Sequence, residues 1–105
     1  MTLKDYQKWT NTTAFYPQER TEYPLLGLAE EAGEVLGKYK KFIRDDTDPQ
    51  KLRDDIAKEL GDVMWYVAQV AETFNLDLEN ICQGNVEKLE SRVTRGVISG
   101  SGDDR

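Results

Sequence analysis

Two short runs of the chain carry carboxylates three residues apart: "EEAGE" at residues 30–34, with Glu30, Glu31 and Glu34, and "ELGD" at residues 59–62, with Glu59 and Asp62. On helices, each run places a pair of acids one turn apart on one side. If the two helices face each other, four carboxylates converge and repel one another unless cations compensate them. Oxygen-only ligation favours hard cations, Mg²⁺ first and Mn²⁺ as a substitute. The chain contains no histidine. That removes Ser-His-Asp and Cys-His nucleophile systems, Glu-x-x-His di-iron bundles and imidazole-based zinc sites. Carboxylate-held metal is the chemistry left open.

The elements that must position these acids read as helices. "TLKDYQKWTN" is expected to form a first helix, and "TTAFYPQERTEYP" links it to a second that runs from about Pro24 to Ile43. In the polar loop "RDDTDPQ", Asp48 is expected to cap and Pro49 to open a third helix reaching about Phe74. Asp77 in "NLDLEN" is the expected cap of a fourth, ending near Arg95, and "GVISGSGDDR" reads as a glycine-rich loop or mobile tail. No strand, repeat or linker is evident. The expectation is a single domain over 1–105, with 96–105 as its tail, in an all-α, four-helix bundle-like fold.

Helical projection then ranks the acids. At about 100° per residue, Leu25, Leu28, Ala29, Ala32, Val35, Leu36, Tyr39, Phe42 and Ile43 fall in an arc of roughly 140°. Glu31 lies about 20° beyond one edge of that arc, Glu34 further out, and Glu30 further still. Lys38 shares the edge with Glu31 and Glu34. On the third helix, Ile56, Leu60, Val63, Val67, Val70, Ala71 and Phe74 make the stripe, and Asp55, Glu59, Asp62 and Tyr66 run along its border. Trp65 projects to the far side, which suits a subunit contact better than a base pocket.

Composition narrows the partners. A net charge of −6 offers no basic surplus to neutralise nucleic acid or an anionic membrane surface. No apolar run is long enough to span a bilayer and no signal peptide is evident, so a cytoplasmic location is expected. The single cysteine, Cys82, cannot pair within the chain and reads as an inert thiol in a reducing compartment.

Taken together, "EEAGE", "ELGD", "YQKWTNTTAFYP", "IRDD", "KELGDVMWYVAQVAE" and "NVEKLESRVTRGVISGSGDDR" resemble the all-α nucleoside triphosphate pyrophosphohydrolases of the MazG type. The resemblance covers nearly the whole chain. It implies hydrolysis of a (d)NTP to (d)NMP and pyrophosphate, in nucleotide pool control or house-cleaning, by an enzyme assembled as a homodimer or homotetramer. Carried over by motif, Glu31, Glu34, Glu59 and Asp62 would be the Mg²⁺ ligands, and Glu30 would orient water or a neighbouring ligand. Asn85, Lys88 and Arg92 match the family's N-x-x-K-L-x-x-R pattern and, with Lys38 and Tyr66, would contact the phosphates or the nucleotide. Independently of the resemblance, the glycines of 96–105 leave backbone N–H groups free to approach phosphate or base, so the tail is expected to fold over bound nucleotide and help select the base.

Two other readings fit the residues less well. "EEAG" imitates part of a Nudix box, but Leu26 and Gly27 stand where that motif needs arginine and glutamate, and the required mixed α/β fold is missing. A non-catalytic acidic helical oligomer, acting as an adaptor, would explain the charge but not the matched spacing of the two acidic pairs.

Overall fold

The computed structural model describes residues 1–105 and contains four α-helices and no strand. α1 (Leu3–Thr10) opens with a capping box. Thr2 Oγ1 accepts from the Asp5 N–H at 3.0 Å, and an Asp5 carboxylate oxygen accepts from the Thr2 N–H at 3.2 Å. A 3-10 turn, Asn11–Thr13, leads away from it. α2 (Glu22–Asp45) stops at Asp46, which takes a left-handed conformation with φ 47°. α3 (Pro49–Thr73) starts at once: Asp48 caps it by accepting from the Gln50 N–H at 3.3 Å, and Pro49 fills the first helical position, where a missing N–H is harmless. α3 closes with Asn75 at φ 55° and the Leu76 N–H on the Ala71 carbonyl at 2.8 Å, the Schellman pattern. α4 (Leu78–Thr94), capped by Asp77, ends the same way, with Gly96 at φ 72° and the Val97 N–H on the Arg92 carbonyl at 2.8 Å. Any side chain at Gly96 would strain that turn. These bounds agree with the sequence expectation, α2 starting two residues earlier and ending two later.

α2 and α3 pack along their lengths as an antiparallel hairpin; α1 crosses α3, and α4 rests chiefly on α1. The joint between these layers is polar. Gln69 of α3 is 1% exposed; its amide oxygen accepts from the Tyr16 hydroxyl at 2.6 Å, and its amide nitrogen donates to Thr10 Oγ1 at 2.8 Å and Asn11 Oδ1 at 3.0 Å. Gln7 of α1 accepts from the Leu78 N–H at 2.7 Å and donates to the Leu76 carbonyl at 2.8 Å, tying α1 to the turn between α3 and α4. No buried side-chain nitrogen or oxygen is left without a partner. Such a network fixes one arrangement, because removing either partner strands a buried polar group at about 1–3 kcal/mol.

The apolar stripe expected to form the core of α2 is covered along one edge only, at Leu28, Val35 and Phe42. Leu25, Leu36 and Ile43 are 44%, 73% and 68% exposed. The face α2 turns inward is shifted from it, with Pro24, Gly27, Leu28, Glu31, Val35, Lys38 and Phe42 covered along the helix. That face is centred roughly 100° around the helix from the line of Leu25 and Ile43. Periodicity counts apolar residues without saying what each will meet, so it centred the inner face too far towards Leu25 and Ile43. Glu31 is therefore not at the border of the packed face but in its middle. On α3 the expected stripe does turn inward: Ile56, Val63, Val67 and Val70 are partly covered and Ala71 is 2% exposed, with Asp55 and Glu59 partly covered beside them, while Leu60 and Phe74 at the two sides of the stripe are about half exposed. The chain is correspondingly open, with a radius of gyration of 16.8 Å against about 13 Å for a compact domain of this length.

Candidate active site and metal centre

The inward faces of α2 and α3 bring Glu31, Glu59 and Asp62 together, with one carboxylate oxygen from each within 4.8 Å of the others. Glu59 and Asp62 are adjacent because they stand one turn apart on α3; Glu31 meets them because the hairpin is tight. Lys38, two turns beyond Glu31, places Nζ 3.6 Å from Glu59 Oε1. Asp55, a turn before Glu59, is instead held by Lys51 at 2.6 Å, and that ammonium keeps its carboxyl below the usual range.

One ammonium does not balance three carboxylates. Burial, then the charges of Asp62, Glu59, Glu30 and Glu34, push the Glu31 carboxyl above the usual glutamate range. Hard oxygen donors, spacing and excess negative charge are what a divalent cation needs, so the residues present fit one. Glu34 is close enough to raise Glu31 but is solvent-exposed and outside the trio. Glu30 is exposed too, on a shallow cleft with Tyr23, Leu26, Gly27 and Tyr66.

Beside the acids lies a crevice of about 330 Å³ lined by Thr13, Glu31, Asp62, Trp65 and Tyr66. Tyr66 reaches it by crossing close over α2 at Gly27, where a Cβ would stand 2.1 Å from the Tyr66 ring. Burial, with Tyr23 and Glu31 adding to it, raises the Tyr66 phenol. Trp65 is turned by its indole N–H, which donates to Thr13 Oγ1 at 2.8 Å, and its ring meets that of Tyr66 edge-on with centroids 5.0 Å apart. Trp65 thus faces the acids rather than away from the site. The sequence sets it on the side of α3 away from the apolar stripe, and that side is met by Thr13 and Tyr16 of the segment after α1. Thr13 and Gly27 were missed because a hydroxyl in a linker and a glycine in a helix have no distinctive pattern.

The α4 residues stand apart. Asn85 is exposed, while Lys88 and Arg92 are engaged by Asp103 of the segment that follows the helix. Cys82 is a free thiol, partly covered. No helix is long and apolar enough to cross a membrane.

A helical hairpin that gathers acids from both arms around a cation-sized gap defines an all-α protein with a carboxylate centre. The MazG nucleotide pyrophosphohydrolase domain matches residues 20–96, and the chain belongs to that family. The matched span contains every residue of the acidic group, Lys38, Tyr66 and all of α2, α3 and α4. The chain is 47% identical over 109 residues to the Gene 37 protein of Mycobacterium phage L5, covering 95% of this chain and 96% of the phage protein. It is 31% identical over 104 residues to the uncharacterized protein YvdC of Bacillus subtilis (strain 168), covering 88% of this chain and 96% of that protein. No solved structure matches.

Proposed function

We propose that the protein is a Mg²⁺-dependent nucleoside triphosphate pyrophosphohydrolase, converting a (d)NTP and water to the monophosphate and pyrophosphate. The observation that carries this is the meeting of Glu31 with Glu59 and Asp62 across the α2–α3 hairpin, in a chain of the MazG family. Glu31, Glu59 and Asp62 would hold Mg²⁺ or Mn²⁺, with Glu34 joining them by a change of rotamer. When bound, the ion supplies charge neutralisation for the phosphate chain and a lowered pKa for water.

The protein's own groups do the rest. Lys38 keeps Glu59 aimed into the site and offers an ammonium to the incoming phosphates. Trp65 and Tyr66 wall the crevice with aromatic surface on which a base or sugar can rest, and Thr13 fixes the indole that does so. Glu30, beside Tyr66, is placed to orient water at the outer edge of the acids. Asn85, Lys88 and Arg92 supply a second phosphate-binding surface on α4.

Assembly completes the site in this reading. Leu25, Leu36 and Ile43, with Leu60, Phe74 and Val93, are large apolar side chains left uncovered, which a second subunit can bury. A homodimer or homotetramer that buries it would also bring α4 of one subunit towards the hairpin of another. A cytoplasmic site of action accords with the free Cys82 thiol. The test is a panel of NTPs and dNTPs with Mg²⁺, scored for monophosphate and pyrophosphate. Turnover of at least one substrate to those products supports the proposal, and diphosphate plus orthophosphate as products would end it.

A further inference from the structure

Residues 96–105 are not a loose end. Arg105 draws them into a closed loop: Nε donates to the Val97 carbonyl at 3.1 Å, Nη1 to the Gly102 carbonyl at 2.6 Å and Nη2 to the Ile98 carbonyl at 2.9 Å. Arg95 ties the loop to the end of α4 by donating to the Arg105 carbonyl at 2.6 Å. The loop so formed lays Asp103 over α4. Lys88 Nζ donates to Asp103 Oδ1 at 2.9 Å, and Arg92 Nη2 donates to the same carboxylate at 3.3 Å and also to the Asp103 backbone carbonyl. Lys88 and Arg92 hold the Asp103 carboxyl below the usual aspartate range.

Arg92 is only 5% exposed. An arginine shielded to that degree, with Nη2 given to Asp103, is not free to take a phosphate. Lys88, the other cation one turn away, is shared with the same carboxylate. Asp103 itself is well exposed, so the contact that blocks the two cations is held by an anion that solvent reaches.

We propose that residues 96–105 form an anion-displaced latch: Asp103 occupies Lys88 and Arg92 when no ligand is bound, and the polyphosphate of a nucleotide or pyrophosphate takes both cations from it and frees the loop. This rests on the assignment of Lys88 and Arg92 to phosphate binding made above. A single carboxylate is a weak rival for a di- or triphosphate, which brings more charge and more acceptor oxygens to the same pair. The latch thus keeps the cations paired in the absence of ligand and yields to polyphosphate.

The test follows amide hydrogen exchange of residues 96–105 in the full chain with Mg²⁺, with and without inorganic pyrophosphate, and measures pyrophosphate affinity by calorimetry. Pyrophosphate should speed exchange through the loop. Asp103→Asn should show fast exchange without pyrophosphate and bind it about 3- to 5-fold more tightly, the scale of one partly exposed ion pair removed from competition. Arg105→Ala, which opens the loop without touching either cation, should do the same. Equal or weaker affinity in both variants, exchange that ignores pyrophosphate, or no binding by any of the three proteins would overturn the latch. Nucleotide hydrolysis is not read in these measurements. A chain that turns over NTPs while its loop ignores pyrophosphate disproves the latch alone, and a loop that opens in a chain inert to every NTP disproves the hydrolase reading alone.

Discussion

Lys38 of α2 and Glu59 of α3 meet across the hairpin at 3.6 Å, and they are the one ion pair made by the three clustered acids. Both side chains are largely covered, at 31% and 15% exposure. Without the ammonium, three carboxylates face each other uncompensated. Lys38→Met is expected to lower stability in EDTA by on the order of 1 kcal/mol. Saturating Mg²⁺ should recover most of that loss, because a ligand that binds the folded state at about 100 times its Kd adds about 2.7 kcal/mol. Urea midpoints with EDTA and with Mg²⁺ measure both effects.

The raised Glu31 carboxyl makes the metal-free protein less stable as pH rises. Below the ordinary glutamate value of 4.5 the group is protonated in the folded and unfolded states alike and imposes no penalty. From there up through its raised folded value, the unfolded chain ionises more readily, so stability falls and then levels off. Glu31→Gln removes that fall. In EDTA the variant should match the wild type near pH 4 and melt at a higher temperature at pH 7. Thermal scans across the range check it.

Gly27 is expected to tolerate no side chain. A Cβ there would stand 2.1 Å from the Tyr66 ring, so Tyr66 must move out of the crevice or α2 must shift away from α3. Gly27→Ala should destabilise by about 1–3 kcal/mol. Combining it with Tyr66→Ala should cost clearly less than the sum of the two single changes, because the second substitution removes the group that the first one strikes. A double-mutant cycle on urea stability reads this directly.

Gln69→Leu tests the polar joint between α1 and α3. The change takes the acceptor from the Tyr16 hydroxyl and the amide donor from Thr10 Oγ1 and Asn11 Oδ1, although Thr10 Oγ1 still donates to the Gln7 carbonyl at 2.7 Å and Asn11 faces solvent. A loss of about 1–3 kcal/mol is expected. The metal centre should remain assembled on α2 and α3, so Mg²⁺ should still raise the melting temperature of the variant.

How much of this was legible in the sequence divides along physical lines. The four helices and their ends were, because Asp48 with Pro49, Asp77 and the glycine at residue 96 act on the backbone beside them, whatever the fold does later. The convergence of Glu31, Glu59 and Asp62 was also legible, since i, i+3 spacing survives any packing of the hairpin. The inner face was not. Leu25, Leu28, Val35, Leu36, Phe42 and Ile43 share one apolar arc, yet the packed face takes only the edge with Leu28, Val35 and Phe42 and leaves Leu25, Leu36 and Ile43 uncovered. Nor was the partner of Trp65, because Thr13 and Tyr16 reach it from a segment whose path the helix pattern does not set. The loop over α4 depends on Arg105 reaching back to carbonyls at residues 97, 98 and 102, a closure that glycine-rich composition conceals.

The most direct test of the central claim is product analysis with Mg²⁺ for the wild type beside Glu31→Gln, Glu59→Gln and Asp62→Asn. The wild type should release monophosphate and pyrophosphate from at least one (d)NTP. Each variant should lose more than about 100-fold in rate, beyond what altering a mere outer neighbour of a metal ligand costs, while its circular dichroism remains helical. Wild-type turnover that persists in EDTA, or near-normal rates in all three variants, would contradict the account.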